Sequence, residues 1–294
     1  PPETPPELGE VVDTLAENEA QLVSESGEAL PLADPQAAEL LTSDDPWFIS
    51  GTVKYRFVSG ACPAPDPAPA LTEVCVGGIG VDTIQYAFNY IRDHATIPND
   101  KTIYLEGVTF TPSAVITVDG SQPNIALVTK LQGVGSDNLG AAGTYTQING
   151  RILINNMPNG FTLQGIAFVL NNAAPTISAS NNGGTIKIEN VKVQNSTGGG
   201  VDISNHRGAV EIKYLTVPVS GASAVRVDNT AASGNVSIFS ATLIDATNYG
   251  LQISTNGSLT LDGLFVFSNT AGGANLTAKK GVTIRNSIFN ENGF

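Results

Sequence analysis

Short apolar phrases recur along the last two thirds of the chain, about two dozen residues apart. Each contains a leucine or isoleucine, a spacer, a turn-forming residue and usually another apolar residue, as in LQGI, IENV and LDGL. Successive phrases are separated by 26, 32, 25, 24, 26, 23 and 23 residues. They begin at Leu105, Leu131, Leu163, Ile188, Ile212, Ile238, Leu261 and Ile284. Such self-similarity at a fixed period is typical of solenoid proteins.

Apolar and polar residues alternate within each repeat. The segments TIKI, VKVQ and VDIS in 184–204 have a period of two and many β-branched residues, which predicts three short strands rather than helices. In FTLQGIAF (161–168) we expect Phe161, Leu163, Ile166 and Phe168 to point inward, with Gln164 and Gly165 forming the bend. Gly or Asn fills six of the eight bends, as suits a left-handed backbone. The bend residues are Gly107, Gly133, Gly165, Asn190, Tyr214, Ser240, Gly263 and Asn286.

A single coil of this length cannot bury its inward face alone. It must stack on the next coil, strand over parallel strand, about 4.8 Å away. The sequence therefore predicts an all-β protein, a right-handed parallel β-helix solenoid of about eight coils.

One amphipathic helix is predicted before the repeats, over about residues 83–94. Ile84, Phe88 and Ile91 share one face of it. Asp82 and Gln85, three residues apart, fit a capping box at its start. We expect this helix to cap the first coil.

The order of these segments resembles a known superfamily. The helix TIQYAFNYI, then NDKTIYLEGVTF, then coils with Asn or Gly corners is similar to the pectin-lyase-like right-handed β-helix proteins. The resemblance covers about residues 76–294. The segment before it is similar to that of secreted bacterial surface proteins that carry such a module.

Charge divides the chain unevenly and changes the domain picture. Residues 1–50 hold twelve of the 27 acidic residues and no Lys or Arg, while the rest of the chain is almost neutral. We expect an acidic N-terminal arm with one short helix over 1–50, a strand and a bridged loop over 51–82, and the capping helix with its coils over 83–294. The sequence has no basic stripe for a phosphate backbone, so no nucleic-acid partner is predicted. It has no long apolar run, so no membrane span is predicted.

The two cysteines, Cys62 and Cys75, enclose twelve residues in CPAPDPAPALTEVC. A disulfide there would stabilise the fold by about 3 kcal/mol on the loop-entropy model and would imply an oxidising compartment. Two free thiols are the alternative. With the bridge preferred, the chain is predicted to be secreted, either extracellular or on the cell surface.

Outward residues on neighbouring coils form four expected charge pairs of opposite sign. Exposed pairs of this kind contribute about 0–1 kcal/mol each, and a register slip would break them. The alternative is a catalytic cluster of Asp202, Glu211 and Arg226. The four pairs are Lys187 with Glu211, Glu189 with Lys213, Asp202 with Arg226, and Asp262 with Arg285.

The resemblance implies carboxylates, and in the hydrolases a histidine, on adjacent coils, through phrases such as NTD, DD and GHG. None of these phrases occurs in the repeats, and no strand there carries Asp on successive coils. His94 is expected at the end of the helix and His206 in a loop between coils. We therefore predict no catalytic residue, no metal ligand and no cofactor.

The last phrase lacks the third strand of its coil, so an apolar face is expected at that end. Ile284, Ile288, Phe289 and Phe294 are the candidate assembly residues. The expected cover is either a second copy, stacked head to tail into filaments, or further coils of a longer chain. The sequence thus favours a structural β-helix of the cell surface or matrix, self-associating or part of an adhesin that contacts surface glycans. The alternative is a polysaccharide-active enzyme, or a glycan-binding module, that uses the outer groove.

Overall fold

A computed structural model of the chain describes residues 47–50, 53–57, 61, 73–94, 101–105, 107–135, 145–169 and 172–293. In this part, parallel strands stack coil upon coil into two sheets. The predicted parallel β-helix, with one helix before the coils, is confirmed. The short helix in the acidic arm lies outside the described residues.

The larger sheet has 15 strands: the first two strands of the coils and, beyond the first coil, three strands that precede the helix. Of these three, the first pairs antiparallel with both of its neighbours. The members of this sheet are β1 (Trp47–Ser50), β2 (Val53–Phe57), β3 (Glu73–Val76), β4 (Lys101–Tyr104), β5 (Thr109–Phe110), β7 (Val128–Gln132), β8 (Thr146–Ile148), β10 (Phe161–Phe168), β12 (Ile186–Val193), β14 (Val210–Val217), β16 (Val236–Ile244), β18 (Leu259–Asp262), β19 (Phe265–Phe267), β21 (Val282–Arg285) and β22 (Ile288–Asn290).

The smaller sheet has seven strands, one for each complete turn of the described solenoid. The sequence predicted about eight coils, whereas the structure has about seven turns. The strands of this sheet are β6 (Ile116–Asp119), β9 (Ile152–Asn155), β11 (Ile177–Ser180), β13 (Val201–Ser204), β15 (Val225–Asn229), β17 (Tyr249–Thr255) and β20 (Gly272–Ala278).

Strict register builds the core. Leu163 lies beside Ile188, and Ile188 lies beside Ile212, so each inward position continues as a column through the molecule. In β10, the side chains of Phe161, Leu163, Ile166 and Phe168 are all buried, as expected. Because each coil buries its apolar row only against its neighbours, stability comes from coil–coil contact.

From β10 onward, each coil bends within the larger sheet at a residue with a left-handed backbone. Six of the eight predicted bend residues have positive φ: Gly165, Asn190, Tyr214, Ser240, Gly263 and Asn286. At Gly165 φ is +67°, and a Cβ there would lie 2.6 Å from the carbonyl oxygen of Gly133 on the preceding coil. This corner therefore requires glycine for both conformation and space.

The helix α1 (Thr83–Asp93) covers the N-terminal end of the solenoid, and Ile84, Phe88 and Ile91 are buried as expected. The predicted capping box is wrong. Asp82 is the residue before the helix, but its side chain makes no capping hydrogen bond. Asp82 and Gln85 instead bind the first coil, because docking of α1 on the sheet brings backbone and hydroxyl groups of that coil within their reach.

Candidate functional site

The apolar columns of the larger sheet end on the last described coil, where their side chains are exposed to solvent. Val282 and Ile284 in β21 lie beside Leu259 and Leu261, and Phe289 in β22 lies beside Val266. The interior residues of these three pairs are buried, whereas Val282, Ile284 and Phe289 are 43%, 48% and 37% exposed. We call these three residues the end face.

The backbone at this end also offers pairing groups. Within the described residues, β20, β21 and β22 each pair with a preceding strand and have no strand on their other side. An unpaired strand edge is a template for pairing with another chain. The end face therefore combines exposed apolar side chains with strand edges free to pair.

Asn292 fixes the backbone around the end face. Its Nδ2 donates to the carbonyl oxygen of Val266 at 3.0 Å, and its Oδ1 accepts from the backbone N–H of Asn269 at 3.0 Å. Asn269 is fully buried, and its own Oδ1 accepts from the backbone N–H of Ala246 one coil earlier. These bonds across three coils order the corner beside the end face before any partner binds.

Two of the four predicted assembly residues do not belong to the end face. Ile288 lies beside Phe265 in an outward row and is 57% exposed on the side of the solenoid. The reason is the left-handed residue Asn286, which shifts the alternation by one position. Phe294 lies outside the described residues.

The opposite end of the solenoid is covered by hydrogen bonds from α1. The Oε1 of Gln85 accepts from the backbone N–H of Thr117 at 2.6 Å, and its Nε2 donates to the carbonyl oxygen of Thr117 at 3.3 Å. Thr117 belongs to β6, the first strand of the smaller sheet. The side-chain amide thus takes the place of one peptide of a neighbouring strand.

Asp82 adds a second attachment between α1 and the first coil. Its carboxylate accepts from the backbone N–H of Ser113 at 2.8 Å and from the Ser113 hydroxyl at 2.6 Å. These hydrogen bonds hold the pKa of Asp82 below its ordinary value. At neutral pH the carboxylate is therefore an acceptor only, as both bonds require.

Two of the four predicted charge pairs form. Lys187 Nζ lies 3.1 Å from Glu211 Oε2, and Arg226 Nη1 lies 3.0 Å from Asp202 Oδ1. Both pairs are partly exposed, so each contributes at most about 1 kcal/mol.

The other two pairs share register without forming ion pairs. Glu189 lies beside Lys213 and Asp262 beside Arg285, yet neither pair comes within 4.0 Å in the described part of the chain. Asp262 Oδ1 instead accepts from Asn286 Nδ2 at 3.0 Å. The left-handed corner at Asn286 brings this amide toward the carboxylate.

The alternative cluster of Asp202, Glu211 and Arg226 does not come together. Asp202 and Arg226 lie in the smaller sheet, and Glu211 lies in the larger one. No group of three His, Cys, Asp or Glu side chains that could hold a metal ion occurs within the described residues. The predicted bridge between Cys62 and Cys75 lies outside them, because Cys62 and the side chain of Cys75 are not described.

His206 lies between β13 and β14, in a loop between coils as predicted. Its side chain is fully buried there, which the sequence did not indicate. One ring nitrogen, Nε2, lies 3.0 Å from the carbonyl oxygen of Ala209. Burial lowers the pKa of His206, while the hydrogen bond to the backbone of Ala209 acts in the opposite direction. Burial could not be predicted from NHRG, because such a segment between two strands is also typical of an exposed turn.

No family model, no curated protein and no solved structure matches this chain. Among the described helices, none has the length and apolar character needed to cross a membrane.

Proposed function

We propose that this protein is a structural β-helix of the cell surface or extracellular matrix that pairs with a second copy through its end face. The observation that carries the proposal is the exposure of Val282, Ile284 and Phe289 at positions whose counterparts on the preceding coil are buried. Complete burial of an exposed apolar side chain of this size contributes about 1.5–3 kcal/mol. Because the three residues are 37–48% exposed, covering each of them contributes less than half of that.

A second copy is the occupant that fits this surface best. The end face presents the same apolar columns that every other coil buries against the next one. A surface of apolar rows and strand edges is therefore complementary to it, and the strands of two end faces would pair antiparallel. A second copy offers such a surface, with unpaired strand edges that can bond to those of β20, β21 and β22.

The arrangement we propose is tail to tail. At the N-terminal end of the solenoid, α1 covers the smaller sheet, with Gln85 bonded to the edge of β6, and β1 pairs with β4 in the larger sheet. This cover disfavours the head-to-tail filament, in which that end would have to receive the end face of another copy. Two end faces related by a twofold axis form a closed, isologous contact instead.

Location at the cell surface is the second part of the proposal. It is supported by the two cysteines in a short proline-rich segment and by a chain in which only 14% of residues are charged. A rigid solenoid stiffened by coil–coil contacts suits a load-bearing or spacing role.

Sedimentation velocity over a range of protein concentrations tests the pairing. We expect a reversible monomer–dimer equilibrium for the wild-type chain. Ile284→Lys should weaken the dimer by at least about tenfold, because it places a charge in an apolar contact. Thr283→Lys is the matched control, since Thr283 lies on the same strand beside the outward residue Thr260.

The control variant should dimerise like the wild type. A wild-type chain that remains monomeric at the highest attainable concentration would contradict the proposal. So would equal weakening by the two lysine substitutions, because charge alone would then explain the effect.

A further inference from the structure

Two exposed aromatic rings lie together on the side of the solenoid, away from the end face. The ring centroids of Tyr214 and Phe239 are 5.7 Å apart and the ring planes are nearly perpendicular, at 89°. Tyr214 is 40% exposed and Phe239 is 43% exposed. They come from adjacent coils, in β14 and β16. We call them the aromatic pair.

Tyr214 occupies a corner where the backbone disfavours it. Its φ is +55°, in the left-handed region that bulky side chains rarely adopt. The corresponding corners of other coils have small or turn-forming residues, such as Asn190, Ser240 and Gly263. A strained, exposed tyrosine contributes little that the coil needs for folding, and strain of this kind concentrates at binding sites.

Polar side chains of both charges surround the pair. In the strand ladder, Phe239 lies between Lys213 on one side and Asp262 on the other. Glu189, on the preceding coil, lies beside Lys213. Lys213 and Glu189 do not form an ion pair, so their ammonium and carboxylate groups can bind a ligand. The side chains of Lys213, Asp262 and Glu189 supply one positive and two negative charges, which gives no net attraction for a polyanion or an anionic membrane.

We propose that the aromatic pair is a binding platform for a neutral polysaccharide. Aromatic faces bury the apolar C–H faces of sugar rings, and neighbouring donors and acceptors orient the ligand through its hydroxyl groups. A hydrated ligand rich in hydroxyl groups also suits this surface, because polar and charged side chains lie next to both rings. This site is separate from the end face and is present in the monomer.

Affinity electrophoresis tests the platform directly. The full chain is run in native gels containing hydroxyethyl cellulose, neutral arabinoxylan or polygalacturonate. We expect retardation by at least one of the two neutral polymers and none by polygalacturonate. Tyr214→Gly and Phe239→Ala should weaken binding by about tenfold or more, because each removes one stacking face.

Three further variants separate binding from folding. Tyr214→Gly should keep or raise the melting temperature, since glycine adopts the left-handed corner without strain. Tyr214→Phe keeps the ring and should retain binding. Tyr86→Ala removes an exposed aromatic ring from α1, remote from the pair along the chain, and should also retain binding.

The proposal is wrong if neither neutral polymer retards the wild-type chain, or if Tyr214→Gly and Phe239→Ala bind as the wild type does. It is also wrong if these two variants abolish self-association, because the pair would then be a protein contact. Failure to bind any glycan leaves the end-face proposal unaffected, since the end face is tested by sedimentation.

Discussion

A left-handed residue at a corner of a coil shifts the alternation of inward and outward side chains in the residues that follow it. In β10 the inward residues on the two sides of Gly165 are Leu163 and Ile166, three positions apart instead of two. The same shift at Asn286 turns Phe289 inward and Ile288 outward. Inward and outward positions can therefore be predicted from the sequence within one strand. Across a corner they can be predicted only if the left-handed residue is identified, because the alternation shifts by one position there.

His206 makes stability depend on pH at the scale of one residue. Because burial lowers its pKa in the folded state below the ordinary 6.5, the unfolded chain binds the proton more tightly. The stabilisation is complete above about pH 6.5 and is lost as the pH falls toward the folded-state pKa. We expect the free energy of unfolding, from urea titration, to decrease between about pH 7.5 and about pH 5.5.

His206→Asn should flatten this dependence, because asparagine does not titrate. Asparagine should fit the site, since Asn182 and Asn229 are also buried at corners of nearby coils. The comparison variant is His94→Asn, which replaces the other histidine of the chain, at the exposed end of α1. Identical pH dependence in wild type and His206→Asn would show that another group is responsible.

At the scale of elements, α1 completes the smaller sheet without being a strand. The amide of Gln85 bonds to both backbone groups of Thr117, while Asp82 binds Ser113. The 3.6-residue period of Ile84, Phe88 and Ile91 was enough to predict the helix and its buried face. It could not predict these hydrogen bonds, because their partners lie about thirty residues later and meet α1 only in the folded coil.

Gln85→Leu should destabilise the fold by about 1–3 kcal/mol, because it leaves the N–H and carbonyl of Thr117 without their side-chain partner. Urea denaturation measures the loss, and hydrogen exchange at the Thr117 amide should accelerate. Asp93→Ala, on the exposed surface of the same helix, should change stability by no more than about 0.5 kcal/mol. Equal effects of the two substitutions would show that Gln85 does not protect the edge of β6.

At the scale of the whole molecule, the two ends of the solenoid differ in kind. The repeat spacing predicted the parallel β-helix, its columns and the pairs Lys187–Glu211 and Asp202–Arg226, because register follows from the apolar pattern. The aromatic pair was not predicted. Tyr214 and Phe239 are 25 positions apart in the sequence, and their rings come into contact only when adjacent coils stack. Within the described residues, α1 and β1 cover one end of the column, while β20, β21 and β22 have no strand on their far side.

Hydrogen exchange measured at several protein concentrations tests the role of the open end most directly. If a second copy covers the end face, amides of β21 and β22 should exchange more slowly as concentration rises, because pairing removes their edges from water. Amides of β6 and α1 should exchange at the same rate throughout. Exchange in β21 and β22 that does not change with concentration would contradict the account.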